Sequence, residues 1–145
     1  MRRLKQKRAN RQPKPQIRCA IYTRTATTQQ ADEQDSRLAA QREAAEAFIA
    51  KQQHRGWLCL SNRYDDEGQS GVNLDRPGLQ RLLADLRAGK IDYLVIYRFD
   101  RLTRSLSDLF TLVAVFEKHG TTLVSATENL SRYPVLGLKQ VEVTA

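Results

Sequence analysis

Asp92-Tyr93-Leu94-Val95-Ile96-Tyr97-Arg98-Phe99-Asp100-Arg101-Leu102-Thr103-Arg104-Ser105 is the stretch whose reading decides the fold. Tyr93 to Tyr97 is a short, almost uninterrupted apolar run, the pattern of a parallel strand covered on both faces. Directly behind it Arg98, Arg101 and Arg104 recur every third residue, a spacing that places guanidinium groups on one side of a first helical turn. The unpaired N–H groups and positive dipole end of such a turn already favour an anion, and arginine adds charge and bidentate donors. Solvated helix surfaces carry arginine at the same spacing, so the neighbouring segments have to decide between the two.

Upstream, Cys19-Ala20-Ile21-Tyr22 is a second buried-strand run, followed by a polar stretch from Thr23 to Gln34 that reads as a long loop and hence a site candidate. Ser36 to Gln53 follows a helical stripe through Leu38, Ala45, Phe48, Ile49 and Gln52, and Gly56 ends it. Trp57-Leu58-Cys59-Leu60 is the next strand. The run from Tyr64 to Gly78 is rich in turn residues, with Pro77 placed to open a helix whose apolar face is Leu79, Leu82, Leu83 and Leu86. After the arginine stretch, Ser105 to His119 predicts a helix with Leu106, Leu109, Phe110, Val113 and Phe116 inward, and Thr122-Leu123-Val124-Ser125 a fourth strand. Alternating strands and helices predict an α/β domain, a mainly parallel sheet flanked by helices. Beyond Asn129 the pattern fails, and Val141-Glu142-Val143-Thr144 is at most a short edge strand.

A chain of 145 residues is one domain's worth. Its formal charge of +8 is concentrated: residues 1 to 18 hold eight basic residues and no acid, leaving 16 basic against 16 acidic residues elsewhere. Any anion site in the body must therefore come from local clustering. Residues 1–16 read as a disordered basic arm, suited either to salt-sensitive, sequence-independent affinity for DNA or to simple solubility. The segment has neither the apolar core of a signal peptide nor the serines of a transit peptide, and no run has transmembrane length. Cys19 and Cys59 sit far apart in sequence within apolar runs and read as buried thiols of a reducing compartment. His54 and His119 share no metal-ligand spacing with them.

In a parallel α/β sheet, sites gather beyond the carboxyl ends of the strands. Three loops meet that description and together offer Tyr22 and Arg24, then Ser70 and Arg76, then Asp100, Arg101 and Arg104. Four arginines, a serine and a carboxylate suit phosphoryl transfer, in which catalysis is mainly positioning and charge stabilisation. The carboxylates Asp65, Asp66, Glu67, Asp92 and Asp100 allow another reading, ligands of a metal-dependent nuclease, which neighbouring arginines disfavour by repelling a divalent cation.

The segments Ile21-Tyr22-Thr23-Arg24, Gln41-Arg42-Glu43-Ala44, Asp66-Glu67-Gly68-Gln69-Ser70-Gly71, Asp75-Arg76-Pro77-Gly78-Leu79 and Tyr97 to Ser105 resemble, in order and spacing, the catalytic domain of serine site-specific recombinases, the resolvase/invertase family. The resemblance covers residues 17–130. It implies a DNA partner, a homo-oligomeric relative, no cofactor, no metal and no membrane, and a cytoplasmic, nucleoid-associated setting in bacteria or mobile elements. It further implies strand exchange through a serine that attacks a DNA phosphodiester, giving a 5′-phosphoserine link and a free 3′-hydroxyl. Arg24, Arg76, Arg101 and Arg104 would then hold the phosphate, with Ser70 hydrogen-bonding in the site and Asp100 as an acid/base or arginine-orienting group. Tyr22, Gln30 and Gln41 are secondary matches.

Two departures stand out. The family's nucleophile falls two residues after the arginine matching Arg24, and that residue is Ala26. A methyl group cannot attack phosphorus, and the hydroxyls of Thr27 and Thr28 are displaced along the chain, where an error on the order of 1 Å costs about a hundredfold. Arg37 likewise replaces a serine common in the family four residues before Gln41. The second departure is residues 131–145, which do not match the long dimerisation helix and DNA-binding domain that follow in the family. The expectation is an inactive strand-exchange domain, for which Ala26→Ser in this length of chain does not suffice for recombination. A non-catalytic DNA-phosphate-binding or partner-pairing remnant is the alternative.

Overall fold

The computed structural model describes residues 16–26, 37–130 and 134–144. Strands β1 (Ile17–Arg24), β2 (Trp57–Cys59), β3 (Tyr64–Asp66), β4 (Tyr93–Ile96) and β5 (Thr122–Ser125) alternate with helices α1 (Leu38–Lys51), α2 (Pro77–Arg87), α3 (Phe99–Leu102) and α4 (Leu106–Lys118). The sheet order is β2-β1-β4-β5, with β3 also pairing β1, and each of these pairings is parallel. The expected mainly parallel sheet flanked by helices is what forms.

Side-chain alternation along β1 splits the core in two. Ala20 and Tyr22 face a larger apolar cluster with Leu79, Leu82 and Leu86 of α2 and Leu109, Leu112 and Phe116 of α4. Cys19 and Ile21 face a smaller one with Ala45 and Ile49 of α1, Trp57, Val95 and Val124. Strands buried on both faces explain why they read as continuous apolar runs. The chain leaves β1 toward β2 and β3, then returns past it to β4, so the direction of winding reverses between β1 and β4. Open α/β sheets form their clefts at that point.

Several sequence expectations are corrected. β1 runs on through Thr23 and Arg24, because β3 pairs with it there: Tyr22, Thr23 and Arg24 lie beside Tyr64, Asp65 and Asp66. Tyr64–Asp66 is thus strand, where turn residues suggested loop. The three arginines do not share one helical face. Thr103 is extended (φ −160°, ψ 152°) and breaks α3 from α4, leaving Arg98 at the cap of α3, Arg101 buried within it and Arg104 exposed between the helices. Ser105 caps α4 by accepting from the Asp108 amide, and this phase turns Leu109, Leu112, Val113 and Phe116 inward while Leu106 and Phe110 stay exposed.

Cys19 and Cys59, distant in sequence, are register partners on β1 and β2. Burial pushes the Cys19 thiol up to about 12, as expected of an inert core thiol. Val141 to Thr144 form no strand. Instead the buried Gln52 carboxamide takes both backbone groups of Thr144, donating to its carbonyl at 2.9 Å and accepting from its amide at 2.6 Å, while Arg55 pairs with Glu142 at 2.9 Å. Among the described residues no helix is long and apolar enough to cross a membrane.

Candidate active site

β1 ends at Arg24, which is fully buried beside the winding reversal. Its Nε donates to the Arg101 carbonyl at 2.9 Å, Nη1 to the Gln69 carbonyl at 2.9 Å and Nη2 to the Asp100 carbonyl at 2.6 Å. Its backbone is held by the buried Gln41 carboxamide, which accepts from the Arg24 amide at 3.2 Å and donates to its carbonyl at 2.9 Å. Burial, and then repulsion from Arg76, Arg104 and Arg101, hold the Arg24 pKa down to about 10, which still leaves a cation at neutral pH.

Arg76, also fully buried, precedes α2. Its Nε donates to the Asn73 carbonyl at 3.0 Å, Nη1 to the Tyr22 hydroxyl at 2.8 Å and Nη2 to the Leu102 carbonyl. The Tyr22 hydroxyl donates in turn to Asp66 Oδ2 at 2.7 Å, and burial pushes its phenol up so that it stays neutral and able to donate. Asp66 meanwhile accepts the amides of Gly78 (2.6 Å) and Leu79 (2.9 Å) in the first turn of α2. A carboxylate there satisfies orphan N–H groups and suits the positive end of the helix dipole.

The remaining groups lie toward the rim. Arg101 is buried in α3 with its Nε lacking a hydrogen-bond partner and 3.9 Å from Asp100 Oδ1, a buried atom that also accepts no hydrogen bond. Arg98, by contrast, pairs with Asp100 at 3.4 Å and stays in solvent. Arg104 donates its amide to the Gly71 carbonyl at 2.9 Å and is exposed. A Cβ built on Gly71 would lie 2.8 Å from Arg24 Nη2 and 3.1 Å from Arg104 Cγ, so both arginines meet at that glycine. Ser70 is exposed, its hydroxyl accepting the Val72 amide at 3.2 Å.

Ala26 follows Thr25, which is pinned on three sides. The Thr25 amide donates to the Asp66 carbonyl, its carbonyl accepts the Gln69 amide, and its hydroxyl accepts the Gly68 amide. Gln30, Thr27 and Thr28 lie outside the described residues. Arg37 is the N-cap of α1 and makes no side-chain cap hydrogen bond, the local consequence of having arginine where a hydroxyl would cap.

The fold thus gathers four guanidinium groups, with Asp66 and Asp100 as the nearby acids. Such an arrangement can stabilise a phosphate and can orient it through Arg101 and Arg104. The acids read as possible metal ligands have other partners: Asp66 accepts from three donors, Asp65 accepts from Thr23 at 2.6 Å, and Asp92 binds Arg18 at the opposite end of the sheet. Asp66 was missed as a positioning residue. The signal for it was an acid twelve positions ahead of Gly78 in a helix that opens with Pro77-Gly78, where glycine is otherwise a poor choice. Gly78 is needed because a Cβ would sit 2.8 Å from the Asp65 carbonyl and 2.9 Å from Asp66 Oδ1.

A doubly wound parallel sheet with an arginine cluster at its winding reversal defines the class, an α/β domain with its candidate site at the carboxyl ends of its strands. The chain belongs to the resolvase N-terminal domain family, whose model matches residues 19–138. It is similar to the serine recombinase gin of Escherichia phage Mu, with 38% identity over 68 residues, 47% of this chain and 34% of that protein. A putative DNA recombinase of Bacillus subtilis (strain 168) is 33% identical over 118 residues, 79% of this chain and 21% of the relative. The solved N-terminal catalytic domain of TP901-1 integrase superposes with a TM-score of 0.67 at 34% identity, covering 83% of this chain and 89% of that one. The chain spans about a third of the length of curated relatives such as the phage Mu protein.

Proposed function

We propose that residues 17–130 are the catalytic domain of a serine site-specific recombinase, acting on DNA strand exchange, in which the phosphate seat is retained and the nucleophile is lost. The observation that carries this reading is the convergence of Arg24, Arg76, Arg101 and Arg104 around the ends of β1 and β4, with Ala26 two residues beyond Arg24. In such a site Arg101 and Arg104 bear on the phosphate directly, Asp100 orients Arg101, and Tyr22, Gln41 and Asp66 hold the arginines in place. Ser70 is a rim hydroxyl for a phosphate oxygen. The basic residues 1–16 add salt-sensitive affinity for the DNA backbone. With Ala26 the site binds a phosphodiester and does not cleave it.

The test uses nicked DNA bearing a recombination site, incubated in EDTA and in magnesium. The chain is expected to form no covalent adduct in either buffer, while Ala26→Ser forms a protein–5′-phosphate adduct in EDTA that Arg101→Ala abolishes. Magnesium-dependent cutting, or an adduct formed with Ala26 in place, would sink the reading. Ala26 itself favours a second reading, a non-catalytic DNA-phosphate-binding or partner-pairing module. DNA binding that persists in Ala26→Ser without any adduct would select it.

A further inference from the structure

Given the phosphate seat of the preceding section, on which this inference rests, two of its four arginines are already occupied. Arg24 spends all three of its nitrogens on the carbonyls of Gln69, Asp100 and Arg101, and Arg76 spends two of its nitrogens on those of Asn73 and Leu102. Gly71 adds a third carbonyl from the 69–73 segment, accepting the Arg104 amide at 2.9 Å and the Thr103 hydroxyl at 3.1 Å. The segment is anchored at its two ends, where the Gln69 amide donates to the Thr25 carbonyl at 2.9 Å and the Leu74 carbonyl accepts from Gln80 at 2.8 Å. Between them its other bonds are local turns, Val72 to Ser70 and Asp75 to Asn73, Val72 is 68% exposed, and Gly68 at φ +67° supplies a left-handed joint at one end.

We infer that Gln69–Asn73 is an internal ligand of the phosphate seat: its carbonyls stand in for phosphate oxygens on Arg24 and Arg76, and a DNA phosphodiester binds by displacing it. A phosphate offers a guanidinium an opposite charge and bidentate geometry that a neutral carbonyl lacks, so the exchange favours the anion once the segment moves. The absence of a side chain at Gly71 is what lets the segment close, since its Cβ would press on Arg24. Affinity is thereby regulated by the stability of the closed segment.

The experiment is residue-resolved amide hydrogen exchange on the full chain, with and without saturating inorganic phosphate, alongside phosphate titrations of the chain and of Gly71→Ala. On binding, the Arg104 amide is expected to lose protection by about fivefold or more as its Gly71 partner leaves, while the Asp92 amide, bonded to the Arg18 carbonyl at the far end of the sheet, stays unchanged. Gly71→Ala is expected to bind phosphate several-fold more tightly. Phosphate binding with Arg104 protection unchanged or increased would overturn the internal ligand and leave the recombinase-type seat standing, as would weaker binding by Gly71→Ala. Failure of both proteins to bind phosphate would overturn the seat as well. The exchange measurement on the unaltered chain decides the question even where Gly71→Ala folds poorly.

Discussion

The two ends of the β1–β4 pair treat charge in opposite ways. At the amino ends, Arg18 and Asp92 meet one to one, with Nε 3.0 Å from Oδ2 and both side chains more than a third exposed. The Arg18 guanidinium holds the Asp92 carboxyl below its ordinary value, and Asp92 in turn raises Arg18. At the carboxyl ends Arg24 and Arg76 are fully buried and meet mainly neutral carbonyls, and Arg24 is driven down from its ordinary value by burial and by other arginines. The first arrangement is a surface ion pair of the kind worth little. The second keeps unneutralised charge out of water, which folding alone does not reward. Excess charge held at a strand end is the mark of a site, and matched charge at the opposite end the mark of ordinary surface.

Breaking the carboxyl-end arrangement should have the largest effect. Arg24→Met leaves three carbonyls without their donor and is expected to lower stability by about 3 kcal/mol in urea denaturation, since each orphaned acceptor costs about 1–3 kcal/mol. Gly78→Ala presses a methyl on the Asp65 carbonyl and the Asp66 carboxylate, with an expected loss of about 2 kcal/mol by the same measurement. Arg101→Ala sharpens the contrast from the side of function. Its Nε has no hydrogen-bond partner, so stability should change by less than about 1 kcal/mol while phosphate affinity falls about tenfold or more.

The smallest effect belongs to the amino end. Asp92→Asn should be close to the parent at neutral pH and closer still in high salt. The lowered Asp92 pKa means its contribution is present above the unfolded value and lost as pH falls through the folded one. The gap between parent and variant in urea titrations should therefore close as pH falls from the ordinary carboxylate range through the lowered folded-state value. A gap that widened toward acid would contradict the pairing.

Much of the fold was legible because period and punctuation are local. Continuous apolar runs marked β1, β2, β4 and β5, Pro77 opened α2, and Gly120 closed the helix before β5. β3 was not legible, since Tyr64-Asp65-Asp66 has a turn composition and becomes strand only by lying along β1. The break at Thr103 was hidden for a similar reason: its extended backbone is held by a bond from its own hydroxyl to Gly71, a residue thirty-two positions away. The arginine residue types and their strand-end positions were readable, and so was Ala26. Which arginines are buried, and what they bind, was not.

Residue order by itself determined the α/β alternation, the arginine-rich strand ends, the family resemblance and the alanine two residues after Arg24, because each depends on side-chain type and spacing along the chain. Tertiary structure alone decided that Arg24 and Arg76 spend their donors on carbonyls, that Asp66 anchors Tyr22 and the first turn of α2, and that Arg98 belongs to the surface. Those outcomes turn on the winding reversal between β1 and β4, which brings residues up to 77 positions apart into hydrogen-bond contact, and no local pattern encodes which donor meets which acceptor there.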